Sequence, residues 1–134
     1  YTAEVTATGG RRGHVTSSDG VIDMPLSLPE GLGGEKGKSN PEQLFAAGYA
    51  ACFQSALLLV AGKRHERLDP SSTVKAHVDL LKSEDGKYGL GVKLTIDLKG
   101  LDKEKANQLV DEAHQVCPYS IGVQGNIEVQ LEVV

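Results

Sequence analysis

The chain of 134 residues contains no tryptophan, two phenylalanines and four tyrosines. Flat aromatic platforms on which bases stack are therefore scarce, and the core must be built from Val, Leu, Ile and Ala. Positive charge is also short. There are 14 Lys plus Arg against 18 Asp plus Glu, a formal net charge of −4, and no basic cluster exceeds two or three residues. That balance argues against a nucleic-acid partner, whose phosphates need a basic face. Cysteine occurs only at Cys52 and Cys117. Such sparse usage suits a reducing compartment, the cytoplasm, and not a disulfide framework. The first residue is Tyr1 and not Met, and no segment has a signal-peptide pattern.

What is present is ordinary for a globular protein, with 40% hydrophobic and 24% charged residues. The length suits one domain, residues 1–134, in which a chain of this mass buries roughly two thirds of its unfolded surface. Residues 2–8 alternate with β-branched positions and stop at Gly9-Gly10, and residues 21–28 alternate again, so the opening reads as a hairpin or meander. Residues 29–40 carry four glycines and form a loop without helix or strand. Asn40-Pro41-Glu42 is a helix start, combining a cap, a first-turn proline and an acid at the positive end of the dipole.

From residue 44 to residue 62 no charge occurs, nearly the length of a membrane span. Gln54, Ser55, Gly48 and the many alanines make a poor span, so the expectation is a soluble, long, apolar helix buried on all sides in a core or a subunit interface. Residues 72–80 and 88–98 read as antiparallel strands joined by Glu84-Asp85-Gly86. Residues 101–116 read as an amphipathic helix capped by Asp102 and ended by Pro118, and residues 126–134 as a last strand. The order ββ, α, ββ, α, β means an α+β fold with antiparallel sheets packed around two helices.

Cys52 lies in the middle of the apolar helix and Cys117 at the end of the second. On periodicity alone both read as small buried hydrophobes, the usual fate of a lone thiol. The alternative is a pair brought together by the fold, one thiol oxidised by a peroxide and the other resolving the sulfenic acid. His114 and Cys117 have a helical spacing that two metal ligands can use, but a closed site needs more partners, so no metal and no other cofactor is expected. There is no nucleophile elbow, and Gly9-Gly10-Arg11-Arg12-Gly13 lacks the lysine of a phosphate loop.

Three stretches carry a resemblance: Asn40-Pro-Glu-Gln-Leu-Phe-Ala-Ala-Gly-Tyr-Ala-Ala-Cys52-Phe, Val116-Cys117-Pro-Tyr-Ser120, and Gly9-Gly10-Arg11. Together they closely resemble the organic hydroperoxide resistance proteins, within the superfamily of osmotically inducible protein C. The likeness spans essentially the whole chain, and the Cys-Pro-Tyr-Ser form favours the hydroperoxide-resistance branch. Arg12 departs from the acidic residue many members carry, and Ile-Gly-Val-Gln after Ser120 is less polar than the usual stretch.

The resemblance implies a thiol peroxidase that reduces organic hydroperoxides to alcohols and is regenerated by a dithiol, commonly a lipoylated protein. It implies Cys52 as the peroxidatic and Cys117 as the resolving residue, with Arg11 and Glu42 as the charged pair of the site. Arg11 would favour the thiolate and the leaving alkoxide, while Glu42 would orient Arg11 by a bidentate bridge. Leu44, Phe45, Phe53 and Leu57 would surround the alkyl tail of the substrate. Glu42 and Cys52 are ten residues apart, about 15 Å along a helix axis and about 80° apart in azimuth. A site combining Cys52 of one chain with Arg11 and Glu42 of another is therefore expected, in keeping with the intertwined homodimer the resemblance implies. A redox sensor, or a carrier of apolar ligands with bystander cysteines, are the competing readings.

Overall fold

Alternating β-branched and polar residues, interrupted by glycine turns, build the first part of the chain into a small meander. The computed structural model describes all residues, Tyr1–Val134. They form two units, Tyr1–Leu44 and Phe45–Val134.

In the first unit β1 (Val5–Thr8), β2 (His14–Ser17) and β3 (Asp23–Pro25) pair antiparallel in that order. A single 3-10 turn at Gly10–Arg12 joins β1 to β2. The connection is tight because a side chain at Gly13 would collide with the Thr8 carbonyl oxygen, 1.6 Å from an added Cβ. Strand β2 falls between the two alternating stretches expected from the sequence and opens at His14, paired with Thr8. The strand expected over residues 21–28 keeps only Asp23–Pro25. Pro25 has no N–H to give a ladder; Leu26 still donates to Gly13 O at 2.8 Å, in register with β2, and the next amide, Ser27, turns to Ser39 O at 2.9 Å. The long loop also holds one 3-10 turn, Glu30–Leu32, where none was expected.

The helix α1 (Pro41–Lys63) starts in the first unit and runs through the second. Asn40 Oδ1 accepts the Gln43 amide at 2.9 Å, capping it as its side chain predicts. Apolarity all round meets the length and composition of a membrane span, yet the buried face is specific. Tyr49, Phe53, Ala56, Leu57, Val60 and Ala61 recur at helical spacing and are buried, whereas Leu58 and Leu59 are 57% and 53% exposed. The chain alone therefore covers one side of α1, not all of it.

The second unit continues with β4 (Thr73–Lys82), β5 (Tyr88–Asp97), α2 (Lys103–Val116), α3 (Pro118–Val123) and β6 (Val129–Val133). Strands β4 and β5 form the expected antiparallel hairpin, with Thr73 opposite Asp97 and Lys82 opposite Tyr88. Strand β6 joins β5 in parallel, Val92 opposite Val129, so this sheet is mixed. One face of β5 supplies Val92, Leu94 and Ile96 to a core completed by Leu109, Val110 and Ala113 of α2. Asp102 caps α2, its carboxylate accepting the Lys105 amide at 2.9 Å. Pro118 does end α2, but it also occupies the first position of α3, where its missing N–H costs nothing.

Candidate functional site

Residue 117 lies between two helices. Its backbone is extended, at φ −66° and ψ 121°, the conformation that a following proline imposes. The Cys117 amide closes α2 on Ala113 O at 2.8 Å, and the Cys117 carbonyl accepts the Ile121 amide at 3.0 Å to open α3. This junction directs the side chain inward, so that Cys117 has no exposed surface. Its Sγ stands 3.7 Å from Cys52 Sγ on α1, and both thiols are free. A disulfide requires about 2.05 Å between sulfurs, so a modest approach of the two residues would close the bond.

Burial pushes the Cys52 thiol above its ordinary range, and Cys117 pushes it further. A hydrogen bond from the Tyr119 backbone amide opposes them and favours the thiolate. The balance within this unit holds Cys52 as a thiol, opposite in direction to an activated thiolate.

Three aromatic rings of α1 and α3 pack together, one of them that of Tyr119, the residue whose amide bonds Cys52. Phe45 and Tyr49 meet edge-to-face at 6.1 Å, and the Tyr119 ring lies 6.2 Å from Phe45 and 5.7 Å from Tyr49. Gly48, one turn before Cys52, makes room for this packing. A Cβ there would lie 2.8 Å from the Tyr119 hydroxyl and 3.2 Å from its ring. A polar chain adjoins the rings, buried at Tyr49 and Ser120 and half-buried at His114. The Tyr49 hydroxyl lies 2.8 Å from Ser120 Oγ, which lies 2.9 Å from His114 Nδ1. Nothing in the sequence analysis assigned a role to Tyr49 or Ser120, and His114 drew notice only as a metal ligand. Their three-residue spacing from the cysteines was the available signal.

Of the apolar residues expected around a substrate, Phe45 is partly buried against the core, while Phe53 and Leu57 are wholly buried within it. Phe53 packs against His114, ring centroids 6.5 Å apart, and neither Phe53 nor Leu57 is open to solvent. Leu44, the last residue of the first unit, is partly buried. Leu57 also borders a cavity of about 250 Å³ lined by Leu58, Leu68, Pro70, Val74 and Leu98.

In the first unit, the 3-10 turn carries Arg11 and the first turn of α1 carries Glu42. Arg11 Nη1 donates to Glu42 Oε2 at 2.8 Å and Nη2 to Oε1 at 2.6 Å, a two-pronged bridge. These hydrogen bonds hold the Glu42 carboxyl below its usual range and raise Arg11 further. The backbone favours this presentation, since Gly9 and Gly10 both take positive φ, 72° and 59°, on entering the turn.

An α+β fold with a long apolar helix carrying one thiol, a second thiol at a helix junction beside it, and a clamped arginine defines a class of thiol-bearing stress proteins. The chain belongs to the OsmC-like protein family, whose family model matches residues 33–132, and within it to the organic hydroperoxide resistance proteins. It is similar to organic hydroperoxide resistance protein OhrB of Bacillus subtilis (strain 168), 49% identical over 133 residues, covering 98% of this chain and 96% of that one. The organic hydroperoxide resistance protein of Xanthomonas axonopodis pv. citri is 48% identical over 132 residues, covering 98% and 92%. The crystal structure of Bacillus subtilis OhrB superposes with a TM-score of 0.92 at 48% identity, covering 100% of this chain and 98% of that chain. A Vibrio cholerae relative, crystallised with captopril in one of its active sites, gives 0.92 at 44% identity, covering 99% and 91%.

Proposed function

We propose that this protein is a cysteine-based peroxidase that reduces organic hydroperoxides to alcohols. The observation that carries the reading is the 3.7 Å approach of two free thiols sixty-five residues apart, one partly accessible and the other buried. The Cys52 thiolate attacks the terminal peroxide oxygen, the O–O bond breaks, and the alkoxide leaves as alcohol after taking a proton. Cys52 is left as sulfenic acid. Cys117 then attacks the Cys52 sulfur, an S–S bond forms, the S–O bond breaks, and the hydroxyl departs as water with the Cys117 proton. A dithiol, in our proposal a lipoyl group on a protein, exchanges with this disulfide and restores both thiols. No metal or organic cofactor takes part.

Burial disfavours the Cys52 thiolate, so the working site requires a cation. We assign that role to Arg11, clamped by Glu42, and place the reaction in an intertwined homodimer in which Arg11 comes from the partner subunit. The exposed Leu58 and Leu59 on the uncharged stretch of α1 support a partner surface. The relatives' role, organic hydroperoxide resistance, supports the substrate class, and the aromatic wall of Phe45 and Tyr119 suits a bulky apolar tail. A reducing cytoplasm suits two thiols that must return to the free state.

The test is a thiol count on reduced protein before and after one equivalent of an organic hydroperoxide. Two thiols lost per chain, and none lost to disulfide in Cys52→Ser, is the expected result. Survival of both thiols in folded protein rules the chemistry out and leaves an apolar-ligand carrier.

A further inference from the structure

Each member of the polar chain beside the aromatic wall sits one helical turn from a thiol. Tyr49 is three residues before Cys52 on α1, His114 three before Cys117 on α2, and Ser120 three after Cys117 on α3. The chain thus ties together the three helices that hold the sulfurs. Tyr49 is wholly buried and Ser120 is 3% exposed. With the imidazole proton on Nε2, Tyr49 donates to Ser120 and Ser120 donates to His114 Nδ1, so each hydroxyl proton has an acceptor. Burial pushes the Tyr49 hydroxyl above its ordinary range, which keeps it protonated near neutral pH.

The backbone gives this junction its direction: the Cys117 amide and carbonyl continue the two ladders, Pro118 has no N–H to add, and the Tyr119 amide reaches Cys52. The side-chain ties from Ser120 to α1 and α2 add a second hold on the same junction. Resting on the peroxidase reading above, we propose that Tyr49, Ser120 and His114 form a positioning clamp that holds Cys117 at attacking distance from oxidised Cys52.

The clamp serves the resolving step and not the first oxidation. In the resolving step the Cys117 sulfur bonds to the Cys52 sulfur as the S–O bond breaks and water leaves. A reacting pair misplaced by about 1 Å loses on the order of a hundredfold in rate. Loosening the junction should therefore slow disulfide closure about tenfold or more relative to the reaction of Cys52 with hydroperoxide. A role confined to stability would lower the unfolding midpoint and leave the two steps in their original ratio.

The experiment mixes reduced protein with one equivalent of cumene hydroperoxide and follows closure with a dimedone trap and intact mass, using Cys117→Ser as the reference for complete loss of closure. Tyr49→Phe and Ser120→Ala should accumulate trappable Cys52 sulfenic acid, and Ser120→Thr, which keeps the hydroxyl, should restore closure. Closure at the wild-type rate in both Tyr49→Phe and Ser120→Ala overturns the clamp. Should Ser120→Ala fail to fold, Tyr49→Phe, which removes one oxygen atom, decides alone. A wild type that loses no thiol to hydroperoxide defeats the peroxidase reading instead. The clamp is then read from the fraction of Cys52–Cys117 disulfide at a fixed glutathione ratio, and an unchanged fraction in the variants overturns it.

Discussion

Arg11 grips Glu42 through two near-parallel hydrogen bonds of 2.8 and 2.6 Å, with the arginine side chain 40% exposed and the glutamate 14%. So exposed a cation gains little from its partner in stability, roughly 0–1 kcal/mol. The bridge therefore adds little to holding the fold, and in the proposed mechanism its use is to present the guanidinium.

Glu42→Gln should accordingly separate stability from activity. We expect the unfolding free energy to change by no more than about 1 kcal/mol. The second-order rate constant for hydroperoxide should fall on the order of a hundredfold, as when one preorganised donor is lost from a charged transition state. Stopped-flow oxidation beside denaturant titration checks both. Equal losses in both, or no loss of rate, would remove Arg11 and Glu42 from the site.

The same pair gives a pH dependence of known sign. The folded-state pKa of Glu42 lies below its unfolded value, because Arg11 hydrogen bonds favour the carboxylate. Its contribution to stability is therefore complete above the ordinary glutamate value of about 4.3 and is lost as pH falls through the lower folded value. Unfolding midpoints of wild type and Glu42→Gln should differ most near neutrality and converge in acid.

Gly48 offers a test of the aromatic wall. An added methyl would meet the Tyr119 hydroxyl at 2.8 Å, the far end of a mobile side chain, so the ring must swing aside and α1 need not. Alanine also favours the helix by about 1 kcal/mol over glycine. Gly48→Ala should thus be stable, with an altered near-ultraviolet tyrosine spectrum and a lower kcat/KM for cumene hydroperoxide. An unchanged spectrum would show that Tyr119 does not occupy this place.

Substrate preference follows from the same wall. An apolar tail gains from Phe45 and Tyr119, whereas hydrogen peroxide has no tail to place there. The ratio of kcat/KM for cumene hydroperoxide over hydrogen peroxide should be large, and Phe45→Ala should lower it about tenfold, within the range an apolar pocket contact gives. Equal turnover of both peroxides by the wild type would count against the bulky-substrate reading.

Leu58 and Leu59 stand 57% and 53% exposed on an uncharged stretch of α1. If this face meets a second copy, Leu59→Glu buries a charge at the contact and should dissociate it. Sedimentation velocity should then give a monomer with reduced peroxidase activity. A wild type that is monomeric and active at assay concentration would sink the homodimer.

Signals within a few residues made much of this protein legible. Asn40-Pro41 marked the start of α1, Asp102 and Pro118 bounded α2, and alternation placed the β4–β5 hairpin, because caps, proline and side-chain period act locally. The motifs around Cys52 and Cys117 pointed to the family, and the Arg11–Glu42 bridge was foreseen from it. Long-range competition decided the rest. The β3 pairing ends after Leu26 because the Ser27 amide finds its partner at Ser39. Strand β6 runs parallel to β5 because α2 and α3 carry the chain back across the sheet. Only the packing of α1 against the α2–α3 junction brings two sulfurs sixty-five residues apart to 3.7 Å and joins Tyr49, Ser120 and His114 into one chain of hydrogen bonds. No local pattern encodes such distances, which exist only once core burial has offset the entropy of closing the intervening loop.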